Sequence, residues 1–163
     1  VDGREIAADV VIYGTGFRTN PFLSSISLVG ADGTPLSEKW RDGAHAYLGI
    51  STSGFPNFFM TLGPQSPIGN FSAISMAETQ IDYIMQGIAL IRKGQAKTLT
   101  PTIAATEKFN AWVRDAMPDT IWVSGCTSWY IGTNGVPSAW PFTGTRYREE
   151  LQTLRLDEFE VIN

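Results

Sequence analysis

Two short segments carry residue types able to work on a bound cofactor: Gly14-Thr15-Gly16 and Gly63-Pro64-Gln65-Ser66. Each follows an apolar run, Val10-Val11-Ile12-Tyr13 in one case and Asn57-Phe58-Phe59-Met60-Thr61-Leu62 in the other. A turn at the end of a buried strand can bring peptide N–H groups up to a ligand, because glycine has no Cβ to hold the ligand off. The first segment is not a phosphate-binding fingerprint. The third glycine of G-x-G-x-x-G falls on Thr19, and Asn20-Pro21 blocks the helix whose N-terminus would hold a pyrophosphate. It reads either as a strand-ending turn or as a close approach of backbone to a bulky ligand or another chain segment. The second reads either as a plain strand-to-helix connection or as the junction at which open α/β sheets receive a negative group.

Other chemistries find little support. One histidine, His45, and one cysteine, Cys126, stand far apart and cannot supply a zinc site. A Ser-His-Asp triad would have to use His45, yet no G-x-S-x-G elbow is present. His45 therefore reads as a loop residue, and Cys126 as a small buried residue ahead of Trp129-Tyr130.

Several elements must position these segments. Residues 5–13 and 57–63 read as strands buried on both faces, with shorter strands at 27–29 and 46–50. Residues 71–93 predict the main helix, with Ile74, Ala77, Ile81, Ile84, Met85, Ile88 and Ile91 on its apolar face and Gly94 closing it. A second helix is expected over 104–117, stopped by Pro118, and a short polar one over 146–154. Residues 121–123 and 128–131 read as extended, Asn134-Gly135 as a hairpin turn, and 157–161 as an acidic solvated tail.

The 163 residues suit one domain, and 43% hydrophobic content is enough to build a core. A net charge of −4 with no basic run argues against nucleic acid and anionic membrane surfaces as partners. The single cysteine excludes an intrachain disulfide framework, and neither a membrane span nor a signal peptide is recognisable, so a reducing, cytoplasmic setting is expected. The chain opens on Val1 and its first residues already read as structure, which suggests a piece of a longer protein.

Four motifs in order give a family resemblance. Asp9-Val10-Val11-Ile12-Tyr13-Gly14-Thr15-Gly16-Phe17 resembles the D-x-V-I-x-A-T-G-F stretch of flavin-containing and Baeyer–Villiger monooxygenases, with Gly14 in place of alanine. Tyr47-Leu48-Gly49-Ile50, Gly54-Phe55-Pro56-Asn57-Phe58-Phe59-Met60 and Gly63-Pro64 follow the Y-L-G, G-F-P-N-x-F and G-P block of that family. Glu78-x-Gln80 falls on the helix where such sequences carry E-x-Q, and Cys126-Thr127-Ser128-Trp129-Tyr130 with Trp140-Pro141 is similar to their C-terminal signature. Phe142 departs from the glycine common there.

The resemblance implies an α/β fold: a partial three-layer FAD/NAD(P)-binding domain with two main helices and short strands. It makes residues 1–163 a C-terminal fragment of a flavoprotein with two dinucleotide-binding domains. Residues 1–20 would be the return strand from the NADPH domain, and 21–163 the C-terminal part of the FAD domain and its cover. The parent would use NADPH to reduce FAD and insert one oxygen atom into a ketone or a soft heteroatom substrate. No catalytic residue lies in this chain on that reading, because the catalytic arginine of Baeyer–Villiger members lies upstream. Gly63, Pro64, Gln65, Ser66 and Asn70 would face the pyrimidine edge of the flavin, and Gly14, Thr15 and Gly16 would sit where the domains meet. The missing N-terminal FAD and NADPH domains become partners, together with a small-molecule substrate, and the isolated fragment is expected to self-associate. The alternatives are a non-catalytic interaction module, or a fragment of another two-domain flavoprotein such as a disulfide reductase. Since no complete phosphate-binding loop is present, the isolated chain is expected neither to oxidise NADPH nor to bind FAD tightly. A yellow, stoichiometric flavin surviving dialysis would contradict this.

Overall fold

A computed structural model describes residues 3–15, 22–23, 25–66, 69, 71–125, 130–131 and 137–162. Four helices and a two-stranded sheet, joined by long irregular segments, make up the described fold: α1 (Leu36–Lys39), α2 (Ala73–Arg92), β1 (Thr98–Pro101), α3 (Ile103–Ala116), α4 (Gly144–Glu150) and β2 (Phe159–Ile162). Gly16, Asn20-Pro21, Asn70, residues 126–129 and Asn134-Gly135 lie outside the described residues, although Ile131 and Pro137 on either side of that last turn form an antiparallel bridge.

Helix α2 begins where Ser72 accepts a hydrogen bond from the Ser75 amide, and Gly94 (φ 68°) follows its end in the left-handed conformation. Its buried stripe differs from the expected one. Met76, Gln80, Tyr83 and Gly87 face the core, whereas Ile74 is 75% exposed, Ile81 49% and Met85 47%. The stripe that packs is chosen by fit as well as by hydrophobicity. At Gly87 a Cβ would stand 3.1 Å from Leu99 Cδ1, so glycine lets β1 approach the helix.

Helix α3 is capped by Thr102, which accepts from the Ala105 amide, and it buries Ala105, Phe109 and Val113. Residues Met117–Asp119, containing Pro118, then tighten into a 3-10 turn. Helix α4 is capped by the Thr143 hydroxyl and buries Tyr147, with Leu151 just beyond. Trp140 lies at the centre, 5.0 Å from the Tyr147 ring, 5.4 Å from Trp112 and stacked on Phe109 at 6.3 Å. A smaller cluster gathers Leu36, Trp40 and Phe55.

The strand expectations need the most correction. Residues 3–15 form no strand, and Val10, Val11, Ile12 and Tyr13 are 65–89% exposed. Residues 57–62 form no strand either; an extended run needs a neighbouring strand to satisfy its ladder, and among the described residues none flanks it. Residues 46–50 are buried but turn back on themselves, with one bridge between Tyr47 and Ser51, and the 27–29 segment contributes only the Val29–Pro35 bridge. Ile121–Val123 is a 3-10 turn rather than extended.

The one regular sheet pairs β1 antiparallel to β2, from Thr98 opposite Ile162 to Pro101 opposite Phe159. The supposed solvated tail is therefore structural. Phe159 is buried against Tyr47, whose hydroxyl donates to Glu158. Asn57 prolongs the sheet's hydrogen bonding, its side chain donating to the Lys97 carbonyl and accepting from the Leu99 amide. No helix of the described residues is long and apolar enough to cross a membrane.

Burial is the main cause that pushes the hydroxyls of Tyr47, Tyr83 and Tyr147 well above their usual value of 10.0. A raised folded-state pKa favours the protonated form, so this contribution is complete below the unfolded value of about 10 and is lost as pH rises beyond it. Alkaline titration should show tyrosinate absorbance from these three rings appearing together with unfolding. Their smooth ionisation in a chain that stays folded would contradict the packing described.

Candidate functional site

Two turns meet back to back. The first reverses the chain at Leu48-Gly49, with the Tyr47 amide donating to the Ser51 carbonyl at 2.7 Å and the Ile50 amide to Tyr47 at 3.0 Å. The second carries Gly63-Pro64-Gln65-Ser66. They dock through the Gly63 amide, which donates to the Gly49 carbonyl at 3.1 Å, and the Met60 amide, which donates to the Ile50 carbonyl at 2.8 Å. Neither glycine tolerates a side chain. A Cβ on Gly63 would stand 2.5 Å from the Gly49 carbonyl oxygen, and one on Gly49 would stand 2.5 Å from Ser66 Cβ.

The backbone here is strained. Of the five described non-glycine residues with positive φ, three lie in these turns: Leu48 (54°), Leu62 (53°) and Gln65 (61°). Such conformations cost about 1–3 kcal/mol each and persist only where the surroundings over-determine them. The surroundings are hydrogen bonds from buried groups. Ser66 is fully buried and donates from its hydroxyl to the Gly63 carbonyl at 2.7 Å. Gln80 accepts from the Leu62 amide at 2.7 Å, and the Tyr147 hydroxyl donates to the Leu48 carbonyl at 2.8 Å.

Of the residues expected at the site, Gly63, Pro64, Gln65 and Ser66 come together here. Pro64 is fully buried, and Gln65 donates from Nε2 to the Ala44 carbonyl at 3.2 Å. Gln65 Oε1 is buried without a hydrogen-bond partner. Gln65 also reaches an open cleft of about 410 Å³ between the 39–45 segment and α3, lined by Lys39, His45, Asn110 and Arg114 among others. The His45 ring nitrogen Nδ1 lies 3.0 Å from the Gly43 carbonyl. Gly14 and Thr15 stand in the exposed 3–15 segment, where a Cβ on Gly14 would meet nothing within 4 Å, so they are not brought to this turn. Gly16 and Asn70 lie outside the described residues.

The N-terminus of the 20-residue α2 opens close behind in sequence. Its Ala73 and Ile74 are exposed, and their amides have no partner among the described residues. Sequence reasoning passed over Tyr147, and it noted Gln80 only as part of a motif. Spacing carried no signal for either, since it put the apolar face of α2 on residues other than Met76, Gln80, Tyr83 and Gly87. Among the described residues, no group of His, Cys, Asp and Glu is placed to hold a metal ion.

No family model matches the chain. It is 42% identical over 160 residues to an uncharacterized monooxygenase of Mycobacterium tuberculosis strain H37Rv, covering 98% of this chain and 32% of that protein. It is 37% identical over 164 residues to a Baeyer–Villiger monooxygenase of Streptomyces coelicolor, covering 99% of this chain and 32% of that one. Other relatives are described as FAD-binding monooxygenases. Among solved structures, an oxidized steroid monooxygenase bound to NADP matches with a TM-score of 0.76 at 26% identity, over 86% of this chain and 27% of that chain. The chain thus spans about a third of the length of the curated relatives it matches. Relatives and fold agree: over nearly its whole length the chain is similar to FAD-binding and Baeyer–Villiger monooxygenases, and it matches about a third of such a protein.

Proposed function

We propose that the chain is the C-terminal segment of a cytoplasmic FAD- and NADPH-dependent monooxygenase that inserts one oxygen atom into a ketone or a soft heteroatom substrate. In that parent, where neighbouring strands are there to pair with it, the segment 1–20 serves as the return strand from the NADPH domain although residues 3–15 form no strand here, and residues 21–163 complete and cover the FAD domain. The observation that carries this reading is the strained pair of turns at Leu48-Gly49 and Leu62 to Gln65, held by buried hydrogen bonds ahead of an open helix N-terminus. Strain held in place by its surroundings marks sites whose geometry matters more than their stability.

The residues present suit one edge of a flavin and no more. Gln65 Oε1 is a buried acceptor in need of a donor, such as the imide N–H that a flavin carries between its two pyrimidine carbonyls. The amides at the start of α2 are donors suited to those carbonyls. No G-x-G-x-x-G loop is available for the pyrophosphate, so that half of the cofactor belongs to the missing domains.

A flavin held at this edge would supply the hydride-accepting and oxygen-transferring chemistry. The segment itself supplies fixed dipoles. The positive end of α2 and the rigid amides near it stabilise negative charge on the pyrimidine edge, and they need no reorganisation as that charge develops. Pro64 and Ser66 keep the turn closed, and Gly14, Thr15 and Gly16 sit where the two dinucleotide-binding domains meet. Without its parent, the chain covers its Ile74, Ile81 and Met85 stripe and its Val10 to Tyr13 segment by self-association.

Gly63→Val tests this reading in the full-length enzyme. The new side chain collides with the Gly49 carbonyl and with Met60 Sδ, at 2.5 and 2.8 Å from the Cβ alone. Flavin occupancy or oxygenation should collapse, the latter by roughly 10²–10³ as for a lost oxyanion-type donor. NADPH binding should remain measurable. Wild-type turnover in this variant would refute the assignment.

A further inference from the structure

A chain of three hydrogen bonds crosses the core beneath the turns. The Leu62 amide donates to Gln80 Oε1 at 2.7 Å, Gln80 Nε2 donates to the Tyr147 hydroxyl at 2.6 Å, and that hydroxyl donates to the Leu48 carbonyl at 2.8 Å. Gln80 is 0% exposed and Tyr147 1%. The two ends of this chain are the two leucines held in the left-handed region, one in each turn. We infer that Gln80 and Tyr147 are positioning residues, a buried clamp that fixes the two strained turns against each other and thereby aims the cofactor-facing turn.

The residue types suit the task. A buried amide is costly unless paired, and Gln80 stands on the core face of α2 between Met76 and Tyr83. The glutamine carboxamide offers a carbonyl acceptor and N–H donors at the end of a single planar group, which is what a bridge from an N–H to a hydroxyl oxygen requires. Tyrosine passes the bond on, accepting from Gln80 and donating to Leu48. Burial holds the Tyr147 hydroxyl protonated, so this direction is kept. Ser66, which closes the same turn through Gly63, completes the set of buried polar groups aimed at it.

The inference rests on the cofactor-facing reading of the turn. Its test uses the full-length flavin-loaded enzyme and three variants: Tyr147→Phe, Gln80→Met and Gln80→Glu, the last keeping the acceptor for Leu62 and losing the donor to Tyr147. Two quantities are read per bound flavin: the visible absorption envelope of the flavin, and product formed per NADPH consumed. A merely structural role lowers thermal stability and flavin occupancy but leaves both quantities unchanged. The clamp predicts an altered absorption envelope and roughly tenfold lower coupling in Tyr147→Phe and Gln80→Met, as for a small misplacement of a catalytic geometry, with Gln80→Glu intermediate. Gly63→Val is the control. If it disturbs the flavin and the clamp variants match wild type, the clamp is overturned and the reading of the turn stands. If it leaves the flavin untouched, both fall. If none of the clamp variants folds, the pair is structural and the inference is overturned.

Discussion

The hydrogen bond from the Gly63 amide to the Gly49 carbonyl, made possible by the absence of a Cβ on either residue, is the constraint from which the rest of this structure is best understood. Two reversals of the chain can share that contact only if both backbones are bent into unfavourable conformations, at Leu48, Leu62 and Gln65. The bend must then be held from outside. One support comes from α2 through Gln80 and the other from α4 through Tyr147, so two helices far apart in sequence converge on a few backbone groups.

The remainder of the core delivers those supports. Tyr147 is fixed by its ring packing on Trp140, which is in turn stacked on Phe109 of α3. Tyr47, at the entrance of the first turn, packs on Phe159 and donates to Glu158, tying the turn to the C-terminal strand. Glu158 also meets Arg155 at 3.0 Å, and Arg155 meets Glu150, so α4 and the strand are joined on the same side. These ion pairs are partly solvated and add little to stability. Their effect is to fix where the tail runs.

Sequence alone disclosed the helices well, because capping residues and periodicity are local. Gly94 and Pro118 close α2 and α3 close to where they were expected, and both helices begin close to where periodicity put them. It misjudged the face of α2. Isoleucines announce hydrophobicity, but Met76, Gln80, Tyr83 and Gly87 fit the neighbours actually present; Ile84 and Ile91 pack at the edge of that core, while Ile74, Ile81 and Met85 stay open. The strands failed for the opposite reason. Residues 5–13 and 57–62 have strand-forming composition, yet a strand exists only with a partner, and the chain matches about a third of the relatives' length. The tail was misread because Asp157, Glu158 and Glu160 obscured Phe159, whose burial decides the pairing with β1. Of the site, the Gly63 turn was legible from its motif, while the Gln80 and Tyr147 supports depend on long-range contacts that spacing does not reveal.

The central claim is that the backbone from Leu62 to Ser66 and the first turn of α2 face the flavin. Amide hydrogen exchange of the full-length enzyme, with and without FAD, measures this directly. The account predicts that FAD slows exchange at the amides of Gln65, Ala73 and Ile74, which have no described partner of their own. Slowing confined to other parts of the protein, with these amides exchanging alike in both states, would contradict it.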